Sequence, residues 1–121
     1  MAIQFNDTID PNVGMCECAE RGVLNGVEFY IKRGANDFFR GLLRAALGGH
    51  KDIVDFFIVK TKDDADIWDW GLYCAATGGH QQLVDMFIKR GGSLCWGIAG
   101  AINGKHGDME KSLSERYLGK N

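Results

Sequence analysis

Residues 41–63, GLLRAALGGHKDIVDFFIVKTKD, and residues 71–93, GLYCAATGGHQQLVDMFIKRGGS, are one pattern written twice. In the first stretch Leu42, Ala45, Ala46 and Gly49 fall at i, i+3, i+4 and i+7. They share one face of a short helix, and the small side chains among them let a neighbour approach closely. Gly48-Gly49-His50 then breaks the helix. Next, Ile53, Val54, Phe57 and Ile58 line one side of a second helix, with Lys51, Asp52 and Asp55 on the other and Asp52 placed for the N-terminal dipole. In the second stretch Leu72, Ala75, Ala76, Gly78-Gly79-His80, Leu83, Val84, Phe87 and Ile88 take the same places. Each stretch reads helix, tight turn, helix.

Two weaker copies flank this pair: GMCECAERGVLNGVEFYIKRGAN at 14–36 and GIAGAINGKHGDMEKSLSERYLG at 97–119. The copies open at Gly14, Gly41, Gly71 and Gly97, so the intervals are 27, 30 and 26 residues. A period in this range marks one supersecondary unit stacked on itself, because a single copy cannot bury its apolar face. The expectation is an all-α fold of about four helix-turn-helix repeats with short connecting loops, forming a single domain over 1–121. Its parts would be an N-terminal cap at 1–13, repeats at about 14–40, 41–70 and 71–96, and a C-terminal capping repeat at 97–121. Ile3, Phe5, Ile9 and Val13 would cover the first pair, and Met109, Leu113 and Tyr117 would form the thin apolar stripe of the last. The longest interval lacks the closing glycine that Gly34 and Gly91 supply elsewhere, so Val59-Lys60-Thr61 is predicted to prolong its second helix.

A formal net charge of -2 over 121 residues provides no basic footprint for nucleic acid or anionic membrane. The opening MAIQFNDTIDPN has no basic segment followed by an apolar run, and no stretch reaches the roughly 18 apolar residues of a spanning helix; a cytoplasmic protein is expected. Cys16, Cys18, Cys74 and Cys95 are then expected as thiols. Cys18 shares the column of Ala45 and Ala75 and should be the least reactive; Cys74, in an outward column, the most. His50, His80 and His106 recur once per copy at the turn, a spacing that belongs to the repeat and predicts bonds to backbone. Asp63-Asp64 with Asp66 lacks the oxygen spacing of a calcium loop and reads as a solvated loop tip. No cysteine is paired with a histidine in any motif, so neither catalysis nor a cofactor is expected. Trp70 and Trp96 both precede the repeat glycine and are predicted to pack between copies. Asp37, Phe39, Asp66 and Asp69 fit no such rule and are candidates for surface contact.

Ala45 to Val54 (AALGGHKDIV) and Ala75 to Val84 (AATGGHQQLV) resemble the double alanine, Gly-His turn and following apolar pair of ankyrin repeats. Ile31-Lys32-Arg33-Gly34-Ala35-Asn36 and Ile88-Lys89-Arg90-Gly91-Gly92-Ser93 resemble the closing turn of that family. The resemblance covers nearly the whole chain, strongly in the second and third copies and weakly in the first and fourth. It departs in a period shorter than the usual length of about 33. It departs also in Arg40-Gly41-Leu42-Leu43 and Trp70-Gly71-Leu72-Tyr73 where the family has Thr-Pro-Leu-His. A tryptophan-glycine opening with Gly-Gly-His is similar to the short-period ankyrin-like repeats abundant in large DNA viruses.

The resemblance implies an ankyrin-like solenoid whose first helices line a concave side, and a protein-protein interaction module. With 42, 45, 46 and 49 buried, 44, 47 and 48 face away. The same register gives Glu17, Glu20 and Arg21 in the first copy and Cys74 and Thr77 in the third. Glu17, Arg44, Cys74 and Gly100 form one column of changing chemistry, which core packing does not fix. Together with loops at 37–39 and 60–69, the expected recognition strip contains Glu17, Glu20, Arg21, Asp37, Phe39, Arg44, Leu47, Asp66, Asp69 and Thr77. The implied partner is another protein, a host factor if the chain is viral, in the host cytoplasm. Two alternatives stand beside it: a structural repeat protein that self-associates, and a small thiol or metal-dependent enzyme.

Overall fold

The first helix, α1 (Pro11–Arg21), starts on a proline, whose fixed φ suits the first turn, and on the Asp10 carboxylate, which accepts from the Asn12 amide at 2.8 Å. It stops at Gly22, which takes the left-handed conformation at φ 82°. Among the described residues seven further helices follow: α2 (Leu24–Lys32), α3 (Phe38–Gly48), α4 (Lys51–Thr61), α5 (Asp66–Gly78), α6 (Gln81–Lys89), α7 (Leu94–Asn103) and α8 (Gly107–Tyr117). α3 repeats both devices, with Asp37 as cap and Gly49 at φ 81° as stop, while α2, α6, α7 and α8 have no side-chain cap. The computed structural model describes residues 5–61 and 66–119, and among the described residues all regular structure is helical. Ile3, the Asp63-Asp64 loop tip and positions 62–65 of the expected loop lie outside the described residues.

The chain divides into two compact units, Met1–Thr61 and Lys62–Asn121. In the first, α1 packs on α2 and α3, and α3 on α4; in the second, α5 packs on α6 and α7, and α7 on α8. Met15, Ala19, Val27, Leu42, Ala45, Ala46, Ile53, Val54 and Phe57 are fully buried in the first unit, as are Ile67, Leu72, Ala75, Ala76, Val84 and Phe87 in the second. Position for position, burial over 41–60 matches burial over 71–90 except at Asp55, which is half-buried where Asp85 is exposed. The apolar stripes read from the 3.6-residue period are the buried ones, save that Gly49, Ile58 and Ile88 at their ends are half-buried. α4 runs through Thr61, two residues longer than α2 or α6, as the missing glycine predicts.

The first helix of each pair begins earlier than its glycine, and this corrects the expected loops. α3 starts at Phe38 because Asp37 caps it, accepting from the Arg40 amide at 3.2 Å. Phe39, Asp66 and Asp69 therefore sit on first helical turns, and Lys60 lies in α4. The recurring glycine is an interior contact. A Cβ on Gly41 would fall 2.6 Å from the Phe57 ring, and one on Gly71 2.4 Å from Phe87. The second helix lays an aromatic ring directly on the first helix's backbone.

The ends depart from expectation in two places. Phe5 covers the first pair as expected, its ring 5.2 Å from Phe29, and the Tyr30 hydroxyl donates to the Asn6 carbonyl while accepting from the Asn6 amide. Val13, however, is exposed, because α1 turns it away from α2. In α8, Met109 and Leu113 are buried but Tyr117 is 58% exposed, so the last stripe is one residue shorter than the sequence pattern.

Candidate protein-binding faces

Two of the three turn histidines, His50 and His106, bond to backbone. His50 donates from Nε2 to the Glu20 carbonyl at 2.9 Å, and His106 to the Thr77 carbonyl at 3.0 Å. Each ring lies over the left-handed glycine that ends the preceding first helix; a Cβ on Gly22 or Gly79 would meet the ring of His50 or His106 at 2.5 or 2.6 Å. These histidines join consecutive helix pairs. Among the described residues no three His, Cys, Asp or Glu side chains gather into a group that could hold a metal.

In the first unit the outward sides of α1 and α3 meet. Glu17 and Arg44, both expected there, line with Val13, Cys16 and Arg40 a depression of about 260 Å³. Arg44 pairs with Glu20, each side chain about 40% exposed. Glu17 and Arg21, one turn apart, border a second depression with Phe5, Ile9 and Tyr30. Asp37 has a structural task besides its cap: its amide and that of Asn36 donate to the Asn12 side chain at 3.0 and 2.8 Å. Phe39 and Leu47 are half-buried. Gly48, expected to face outward, is covered: a Cβ there would stand 2.1 Å from the Glu20 carbonyl oxygen. The helix-helix approach is too close at this level for any side chain.

In the second unit the expected residues are more dispersed. Asp69 accepts from the Ser93 amide at 2.8 Å, stapling the start of α7 as Asn12 staples the start of α3. Thr77 returns its hydroxyl to the Tyr73 carbonyl one turn back. Asp66 is exposed on the first turn of α5. Gly100, placed in the outward column, is buried against the Tyr73 carbonyl, so the column of changing chemistry ends at Cys74.

What stands on this face is an aromatic cluster that the sequence reading assigned to packing alone. Trp70 and Trp96 do meet, with ring centroids 5.0 Å apart, and Tyr73 joins both at 6.3 Å. Yet Trp70 remains 42% exposed. A signal for it existed in the sequence. The column Val13, Arg40, Trp70, Trp96 changes chemistry from copy to copy as freely as the column of Glu17 and Arg44.

The expected order of thiol reactivity is also changed. All four cysteines are free thiols, but burial pushes the Cys74 thiol up to about 11. Cys16 is raised by burial and then by Asp37, Cys18 by burial and then by Glu17. Cys18 is only half-buried, since at the first copy the outer neighbour is the segment around Phe5 and not another helix pair. Cys95 is the exposed one.

Among the described residues no helix is long and apolar enough to cross a membrane. Comparison with protein-family models, with curated proteins and with solved structures finds no match to this chain.

Proposed function

We propose that the chain is a protein-binding module of the ankyrin type, built from four helix pairs, which engages a partner protein through the outward sides of its first helices. One observation carries the reading. Over 41–60 and 71–90 the burial pattern recurs almost without change, while the outward residues of α3 and α5 differ completely: Arg40, Leu43 and Arg44 against Trp70, Tyr73 and Cys74. Packing accounts for what recurs. It leaves the varying side chains unaccounted for, and exposed tryptophan and arginine are the residue types that anchor interfaces. The likeness to viral ankyrin-like repeats extends the proposal to a host protein met in the host cytoplasm.

The test compares two variants in capture of partners from the native cell. The front variant changes Arg40, Arg44 and Trp70 to Ala; the rear variant changes Lys51, Asp55 and Asp85 to Ala. Each should melt within a few degrees of the parent, because surface positions contribute little. The front variant should lose capture by about tenfold or more if one anchor is removed. Loss of capture by the rear variant, with the front variant intact, would place binding on the second helices and refute the proposal.

A further inference from the structure

We infer that the Trp70–Tyr73–Trp96 cluster receives a cationic side chain, arginine or lysine, from a basic segment of the partner; this rests on the binding reading above and names its chemistry. The first support is the company that other half-exposed rings keep. Arg33 lies 3.6 Å over the Phe29 ring, Lys60 stands 5.0 Å from Phe56 and 5.6 Å from Phe38, and Arg90 stands 5.5 Å from Trp68. In both units several rings at the edge of the core, Phe29, Phe38, Phe56 and Trp68, carry a cation from the chain itself, as the negative face of an aromatic ring favours. Among the described residues the Trp70 cluster has rings but no such cation over them, although Trp70 is the most exposed tryptophan of the three.

The second support is charge. α5 (DIWDWGLYCAATG) carries Asp66 and Asp69 and no basic residue, and α7 (LCWGIAGAIN) has no charged residue at all. Asp66 precedes Trp70 by four residues and Asp69 precedes Tyr73 by four, so each carboxylate shares a helix face with a ring of the cluster. A guanidinium or ammonium seated against these rings would find carboxylates one turn away and no basic residue on α5 or α7 to repel it. An acidic or purely apolar segment would gain nothing from the two aspartates. Seating on tryptophan, the best of the aromatic faces for this purpose, also explains why an exposed position before the repeat glycine holds Trp70 where the preceding copy holds Arg40.

The experiment uses the whole chain and a synthetic peptide of repeated Gly-Ser-Arg units, with Gly-Ser-Gln and Gly-Ser-Glu peptides of equal length as controls. The indole N–H signals of Trp68, Trp70 and Trp96 are followed by NMR during titration. The expected result is saturable movement of the Trp70 and Trp96 signals with the arginine peptide and stillness with both controls. Trp68, already beneath Arg90, should move least. Trp70→Leu should weaken binding by about fivefold or more. Asp69→Asn, which keeps the acceptor for Ser93, should weaken it severalfold and flatten its salt dependence. Equal response to the glutamine peptide, or no response of the Trp70 signal to the arginine peptide, overturns the inference. A silent arginine peptide together with capture that the front variant still abolishes refutes only this chemistry; capture lost through the rear variant refutes the binding reading itself.

Discussion

Gly79 and His106 act as one joint. The glycine ends α5 at φ 77°, and the imidazole fills the place its side chain would take, donating to the Thr77 carbonyl. Gly79→Ala should therefore cost about 2 kcal/mol or more, from left-handed strain and from the clash with the ring together. The fourth copy holds Lys105 at the equivalent position, left-handed at φ 61° with a Cβ in place. Lys105→Gly should move the other way, by up to about 1 kcal/mol in favour of folding, since strain relief exceeds the added freedom of the unfolded chain. Denaturant melts of the two variants check this, and equal or reversed effects would remove the joint from the account. The backbone task of His50 and His106 was legible from their spacing, which followed the repeat and not a metal site. Cysteine reactivity was not. A column averages over copies, whereas the exposure of Cys18 and Cys95 depends on what lies beside one particular copy.

Second helices show how fully a 3.6-residue period decides packing. On α6, Leu83, Val84 and Phe87 are buried while Gln81, Gln82, Asp85 and Lys89 are exposed. Val84→Asp places a charge without a partner in the interior and should cost more than about 3 kcal/mol, a large share of the margin of a domain this size. Asp85→Ser gives up a contact with Gln81 at 3.0 Å and one with Arg116 at 3.8 Å, both at the surface. It should cost no more than about 1 kcal/mol. Similar losses from the two substitutions would contradict the helix-pair packing. The stripes were legible because apolar spacing states them directly. The starts of α3 and α5 were hidden because Gly41 and Gly71 look like helix breakers in a sequence, while in the fold they admit the rings of Phe57 and Phe87. A pattern of residue types does not distinguish a glycine that turns the chain from one that lets another residue close in.

At the scale of the molecule, the two units present first-helix faces of unlike character. One carries the Glu20–Arg44 pair with Arg40 and Glu17; the other carries three aromatic rings and two aspartates. The sequence pattern placed the varying outward residues on the first helices, and in the first unit it named residues that do meet. In the second unit the position shared by Trp70 and Trp96 suggested packing, and the rings do pack on each other, yet rings in contact can still leave one edge in solvent, as Trp70 does. Recurring positions carry the fold, and the proposed recognition falls on varying outward ones. The measurement that tests this most directly is an alanine scan from Asp66 to Lys89 with melting temperature and partner capture read on the same samples. Two separate sets are expected. Leu72, Leu83, Val84 and Phe87 should lower the melting temperature, and Trp70 and Tyr73 should lower capture at nearly unchanged stability. Capture that falls only where stability falls, or that is lost at Gln81, Gln82, Asp85 or Lys89, would contradict it.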